Sequence, residues 1–271
     1  MLNRFEYTAP RDRAELLGVL AGHGRSALLL AGGTDVLVNI RSGSARPELV
    51  IDVKRVQGWS DITWSAADGL AIRPATTIND LLRHPVVRAK FPLLIACAHD
   101  LASYQIRNRA TVIGNIVNAS PCADMAPALL CLGARAVIAS AKGEREVAMR
   151  EFFTGVKRTV LAPGELLERI VVPAASAGAR GGYRKLKRIR GHDLGIVGVA
   201  VMKHAGRLRL GISSAAPTPV LVVGLKESAS VDEVAAAALK AISPISDVRC
   251  TKEYREHMVE VFLRRLLQEV A

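Results

Sequence analysis

RNRATVIGNIVNASPCADMAPALL, residues 107–130, is the stretch whose reading decides the fold. In the run RNRAT only Ala110 is apolar. After it come Gly114 and Asn115, the small pair Ala119 and Ser120, Pro121, and Asp124 with Pro127 three positions further on. This pattern suits a backbone-lined cradle better than a packed helix or strand. Glycine lets the backbone approach a ligand and adopt positive φ, and consecutive turn N–H groups form a concavity that binds an anion without a lysine. Such a loop can hold a pyrophosphate. The plainer reading is a surface loop entering a helix capped by Asp124, with Pro127 in the first turn where a missing N–H costs nothing. The capping role is expected on either reading.

Upstream, SALLL (26–30) is a short apolar run typical of a buried strand, and it leads directly into AGGTDVLVNI (31–40). Strand, glycine turn and helix follow one another here. Gly32 and Gly33 close a tight turn, Thr34 or Asp35 can cap the helix, and the helix N-terminus adds the positive end of its dipole to the free N–H groups. The motif is not GxGxxG, so a dinucleotide fold of that type does not follow. It also lacks the lysine of a nucleoside-triphosphate loop. Taken alone, AGGTD would be a plain strand-to-helix connection.

The other elements are read from periodicity and punctuation. Ala14, Leu17 and Leu20 lie at helical spacing before Gly22 and Gly24. Residues 48–53 (ELVIDV) read as a strand, and 62–76 as a hairpin turning at Asp68-Gly69. Residues 77–82 and 91–103 read as helices, the first opened by Thr77 with Asp80 three residues on, an acidic variant of the capping box. ARAVIAS, AKGE and REVAM suggest a second hairpin, and 166–172 one more strand. Residues 174–182 (AASAGARGG) are small and flexible and read as a linker. Beyond it, three extended segments (182–189, 196–204, 207–214) and two helices (231–242, 252–270) indicate a small α+β domain.

Composition excludes several classes. The chain has 271 residues, 50% of them hydrophobic, enough for a sizeable core in one or two domains. No apolar run reaches the roughly 18 residues of a membrane span, and MLNRFEYTAPRDR has acids and bases where a signal peptide would carry an apolar region, so a cytoplasmic location is expected. Cys97, Cys122, Cys131 and Cys250 lack the spacing of a zinc or iron–sulfur site. The net charge is +12, but outside YRKLKRIR (183–190) the basic residues are scattered and aromatics are only 4%, which argues against a nucleic-acid module.

Together, AGGTDVL, QIRNRATVIGNIVNASPCAD, YRKLKRIRGHDLGIVGVAV and GISSAAPTPV, with the ending SPISDVRCTKEYREHM, resemble the FAD-binding subunits of molybdenum hydroxylases. That family includes the medium subunits of carbon monoxide dehydrogenase and the flavin subunits of nicotinate and xanthine dehydrogenases. The resemblance implies an α+β protein: a two-part FAD-binding domain of the vanillyl-alcohol-oxidase (PCMH) type over residues 1–173 (parts 1–55 and 56–173), the linker, and a small α+β domain over 183–271. It implies FAD lying extended between the first two parts, its pyrophosphate on two glycine turns. Leu30, Ala31, Gly32, Gly33, Thr34 and Asp35 would form the first turn, and Thr111, Ile113, Gly114 and Asn115 the second. Asp124 would accept from the adenosine ribose, and Leu167 and Lys185 match further positions that touch FAD.

Two departures are visible. The family usually has Gly-Gly-Asn where this chain has Ile113-Gly114-Asn115. A β-branched residue at positive φ is an outlier, so Ile113 is expected to keep negative φ and point into the core, leaving the close approach to Gly114. There is also no inserted cysteine-bearing segment, so no metal and no iron–sulfur cluster is expected in this chain. None of the six histidines falls in a glycine turn, which predicts non-covalent FAD. The implied role is electron transfer within a complex containing a molybdopterin-binding large subunit and a small subunit with [2Fe-2S] clusters, the electrons leaving for an acceptor such as NAD. The alternative is a self-sufficient flavin oxidase or reductase of similar fold, which would need its own substrate pocket.

Overall fold

The computed structural model describes residues 4–189 and 191–270. The first part holds β1 (Glu6–Thr8), α1 (Arg13–His23), β2 (Ala27–Leu30), α2 (Val36–Ser42) and β3 (Leu49–Asp52). The strands form a parallel sheet in the order β1-β3-β2, with Leu30 opposite Asp52. The Asp12 side chain starts α1 by accepting from Glu15 N at 2.9 Å, and Gly24 at φ +51° stops it. Leu16, Leu17 and Leu20 of α1 are buried in a cluster that also takes Leu49 and Ile51 from β3. The helical spacing of these leucines therefore builds the first core.

The second part contains β4 (Ile62–Ser65), β5 (Gly69–Ile72), α3 (Ile78–Arg83), α4 (Pro85–Lys90), α5 (Pro92–Asp100), α6 (Tyr104–Arg107), α7 (Val112–Val117) and α8 (Ala126–Cys131). It continues with β6 (Arg135–Ser140), β7 (Gly143–Ala148), α9 (Met149–Phe152), β8 (Phe153–Gly155), β9 (Arg158–Thr159) and β10 (Leu166–Val172). An antiparallel sheet runs β4-β5-β10-β6-β7. Thr77 and Asp80 form the expected capping box at α3. Ile78, Leu81, Phe91, Leu94 and Leu129 from the helices join Leu70, Ile72, Ile138 and Ile170 from the sheet in the largest cluster. Arg135, Arg169 and Glu146 belong to the same sheet but are not part of that core, as the alternation of an antiparallel sheet with one solvated face requires.

The third part has β11 (Arg180–Leu186), β12 (Val197–His204), β13 (Arg207–Ser213), β14 (Val220–Lys226), α10 (Val231–Ala241) and α11 (Lys252–Glu269). Its antiparallel sheet runs β11-β12-β13-β14 and is covered on both faces. Val197, Val199 and Val201 pack with Val259, Leu263 and Leu266 of α11. Ala200 and Met202, alternate residues of the same strand, belong to the large cluster of the second part. Gly211 lies so close to α8 that a Cβ there would be 2.3 Å from the Pro127 carbonyl oxygen.

Residues 174–182 are not slack chain. They hold a 3-10 turn, Ala174–Ser176, and the first residues of β11. The small side chains expected to confer flexibility serve close packing instead. A Cβ on Gly181 would stand 2.8 Å from the Val201 carbonyl oxygen, and one on Gly182 2.9 Å from Leu266 Cδ2. Strand β14 lies outside the elements read from sequence, because its pairing is interrupted: the register opposite β13 shifts between Leu208 and Leu210, where Gly224 takes φ +90°.

Candidate functional site

The first glycine turn leaves the end of β2 and enters α2. Gly33 has φ +76°, and residues Ala31 to Thr34 are half-buried. Lys54 Nζ donates to the Ala31 carbonyl at 3.1 Å and is itself paired with Asp52 at 2.7 Å. Asp35 occupies the cap position of α2, but its side chain makes no cap hydrogen bond. Its Oδ1 accepts instead from Asn118 Nδ2 at 2.8 Å, across from the second turn.

The second turn is the start of α7. Thr111 has extended backbone and caps the helix, its Oγ1 accepting from Gly114 N at 3.0 Å. Val112, Ile113 and Ile116 face the core. Ile113 lies within the helix, outside the left-handed region, with 5% of its surface exposed, as its β-branched side chain requires. Gly114 is exposed on the opposite side. The two turns touch: a Cβ on Gly32 would stand 2.0 Å from the Arg109 carbonyl oxygen and 3.0 Å from Ala110 Cα. Only a residue without a side chain at 32 permits this junction of two half-exposed backbone strips.

Asp124 does not cap α8. Met125 occupies the cap position with helical backbone and makes no side-chain cap hydrogen bond. The Asp124 carboxylate is drawn elsewhere, to Lys185 Nζ at 2.7 Å, and Tyr183 OH donates to it at 3.4 Å. Lys185, the third position of the basic run 183–190, has only 2% of its side chain exposed and also donates to the Asp100 carbonyl at 3.3 Å. Burial pushes the Asp124 carboxyl above the usual carboxylate range, and the neighbouring Lys185 ammonium offsets that in part. Asn115 Oδ1 accepts from Met125 N at 3.2 Å, tying α7 to the peptide that follows Asp124. Leu167 is buried in β10 opposite Ile138, in the cluster that holds Ile113. Its side chain is part of the core below α7.

Further residues join the site without having been singled out in the sequence. Ser214, within GISSAAPTPV, has φ +64° and a buried Oγ with no hydrogen-bond partner. A Cβ on Gly195 would lie 3.2 Å from both Ser214 Oγ and Lys185 Cε, so Gly195 keeps the space between them open. Arg255, from the ending motif, is buried and donates to the carbonyls of Ile196 and Ser214, and pairs with Asp247 at 2.8 Å. That motif is a clamp on the loops beside Lys185.

This donor set fits an extended dinucleotide. The two turns touch at Gly32, the Asp124 carboxylate lies beside the peptide that Asn115 holds, and the buried Ser214 hydroxyl, without a hydrogen-bond partner, lies across Gly195 from Lys185. The fold is that of an FAD-binding protein. Residues 3–175 match the FAD binding domain in molybdopterin dehydrogenase, and residues 181–270 match the CO dehydrogenase flavoprotein C-terminal domain. The carbon monoxide dehydrogenase medium chain of Hydrogenophaga pseudoflava is 33% identical over 277 residues, covering 97% of this chain and 96% of its relative. A putative xanthine dehydrogenase FAD-binding subunit of Escherichia coli is 29% identical, covering 99% and 97%. The reconstituted CO dehydrogenase structure from Oligotropha carboxidovorans matches with a TM-score of 0.92 at 30% identity, covering 100% of this chain and 98% of the other. The chain belongs to the FAD-binding medium subunits of the molybdenum hydroxylase family, and it is the flavoprotein component of an oxidoreductase. No helix among the described residues is long and apolar enough to cross a membrane.

Proposed function

We propose that this chain receives electrons from the [2Fe-2S] clusters of a small partner subunit and passes them through FAD to an acceptor such as NAD. A molybdopterin-binding large subunit would oxidise the organic substrate. FAD, when bound, supplies the redox chemistry, while the protein binds, orients and tunes it. The N–H groups of 31–35 and that of Ile113 would hold the pyrophosphate, since those of Val112, Gly114 and Asn115 already donate to Thr76 O, Thr111 Oγ1 and Thr111 O. Leu30, Ile113 and Leu167 would contribute backbone or packing rather than polar side-chain contacts. Asp124 would accept from the ribose hydroxyls, and Lys185 would present its ammonium to the same cofactor, each giving up part of its bond to the other. The cofactor is held non-covalently, and no residue of this chain acts as acid or base on the organic substrate.

The observation that supports this reading most is the contact between Gly32 and the Arg109–Ala110 backbone, which brings the first glycine turn against the segment leading into α7. To test it, the full chain is purified, loaded with FAD and precipitated with acid, and a separate sample is mixed anaerobically with NADH and with dithionite. Release of all the flavin, reduction of the bound flavin, and no oxidation of organic substrates by the chain alone are expected. Turnover of an organic substrate by the isolated chain would instead establish the self-sufficient flavoenzyme. Identification of the chains that co-purify from the native source tests the partner assignment.

A further inference from the structure

Asp35, Asn118 and Lys157 come from three separate elements and form one hydrogen-bonded line from the end of the first glycine turn to the C-terminal end of α7. Asn118 Nδ2 donates to Asp35 Oδ1 at 2.8 Å, and Lys157 Nζ donates to Asn118 Oδ1 at 2.8 Å. The neighbours fix the amide orientation, since its NH2 must meet the carboxylate and its oxygen the ammonium. Lys157 is at the tip of the β8–β9 hairpin with φ +58°, and its N–H donates at 2.9 Å to the carbonyl of Ala119, itself at φ +44°. Backbone and side chain of Lys157 thus both engage the segment just after α7.

The charges around the site are unequally satisfied. Lys54, Lys185 and Lys187 are each paired with a carboxylate, Asp52, Asp124 and Asp100. Lys157 reaches only a neutral amide oxygen and forms no ion pair among the described residues. The interposed Asn118 keeps Asp35 and Lys157 from pairing directly. It engages the one carboxylate on the first turn that would repel an anion, and it leaves the ammonium with charge to spend on something else. A pyrophosphate carries about two negative charges that backbone N–H groups only partly balance.

We propose that Lys157 is the counter-cation of the FAD pyrophosphate, a positioning residue linked through Asn118 to Asp35 at the end of the first turn. This rests on the placement of the pyrophosphate given under Proposed function. The ligand chemistry it recognises is the charged bridge of the dinucleotide, and neither the flavin ring nor the adenine is involved.

The test uses the full chain stripped of flavin, with FAD affinity read by fluorescence titration at low and high salt. Lys157→Gln, Lys157→Arg and Lys142→Gln are compared with wild type; Lys142, in the β6–β7 turn, controls for the loss of one positive charge anywhere on the surface. Lys157→Gln should weaken FAD binding by about tenfold or more, the size of a charge-assisted hydrogen bond. Its affinity should also depend less on salt than that of wild type, because a charge–charge contact has been removed. Lys157→Arg should restore most of the affinity, and Lys142→Gln should match wild type. ADP, as a competitor bearing the same pyrophosphate, should lose affinity for Lys157→Gln in parallel with FAD. Wild-type affinity and salt dependence in Lys157→Gln, or an equal loss in Lys142→Gln, would overturn the assignment while leaving FAD binding by the chain intact. A wild-type chain that bound FAD with no competition from ADP would remove the pyrophosphate placement itself, and with it this inference.

Discussion

Lys185 Nζ stands 2.7 Å from Asp124 Oδ1, and the two side chains keep only 2% and 12% of their surface in contact with water. The pair joins β11 of the third part to the segment that leads into α8, in a position where neither charge has bulk solvent to fall back on. Lys185→Met should therefore cost about 3–5 kcal/mol of stability at neutral pH, the penalty of stranding a buried charge. Asp124 already titrates high because of burial. With the ammonium gone it should titrate higher still, so the penalty should shrink as pH falls through the raised folded-state value and the carboxyl takes up a proton. Urea melts over that range check this; a pH-independent penalty contradicts it. Asp124→Asn combined with Lys185→Met should cost less than the sum of the single changes.

Gly32→Ala places a methyl group 2.0 Å from the Arg109 carbonyl oxygen. Backbone on both sides must shift, and FAD affinity should fall sharply, by about a hundredfold if the loss equals two charge-assisted hydrogen bonds at the low end of their range. Gly18→Ala is the matched control. It lies within α1 with nothing within 4 Å of its Cβ, so it should stabilise the chain by about 0.5–1 kcal/mol and leave the titration unchanged.

Ile113 separates packing from binding. Ile113→Ala should destabilise by about 2–5 kcal/mol, as for other buried isoleucines, and Ile113→Val by about 0.5–1.5 kcal/mol. Neither should tighten FAD binding, because the side chain is buried at 5% exposure on the core side of α7. Stronger binding with unchanged stability would mean that the residue crowds the cofactor instead.

Tyr7 and Asp52 couple the first sheet to pH. Tyr7 OH donates to Asp52 Oδ2 at 2.8 Å, while Lys54 donates to Oδ1 from both its backbone N at 2.9 Å and its Nζ at 2.7 Å. Burial works against the Asp52 charge, but the Lys54 and Tyr7 hydrogen bonds outweigh it and hold the carboxyl below its usual value. Its contribution is present above the unfolded-state pKa and is lost as pH falls through the folded one, on the acid side of pH 4. Tyr7 is shifted upward, mainly by the same hydrogen bond. Its contribution is present below its unfolded pKa near 10 and is lost as pH rises through the higher folded value. Thermal melts should show Tyr7→Phe flattening the alkaline decline and Asp52→Asn the acid one.

Local signals in the sequence were sufficient where structure is local. The leucines of α1, the Thr77–Asp80 capping box, the Asp68-Gly69 hairpin and the glycine turn after SALLL all form where side-chain spacing and turn chemistry place them. The negative φ of Ile113 also follows from the residue type alone. What escaped were choices between competing partners. Asp124 precedes a helix with proline in its first turn and has the residue type of a cap, yet Lys185, distant in the chain, takes its carboxylate. Asp35 meets the same fate through Asn118. The glycines of 181–182 look like a flexible tether and turn out to admit Val201 and Leu266. In each case a long-range contact overrides a short-range preference, and single-residue patterns hold no record of it.

The approach of Gly211 to the Pro127 carbonyl gives the molecule a mechanical property. Ala200 and Met202 on one side and α8 on the other share a single apolar seam, so a cut between residues 175 and 180 would sever the backbone without parting the pieces. A protease-nicked chain should elute from a sizing column as one particle and melt in one step. The release of bound flavin on heating should then report the loosening of the C-terminal sheet as faithfully as that of the turns themselves.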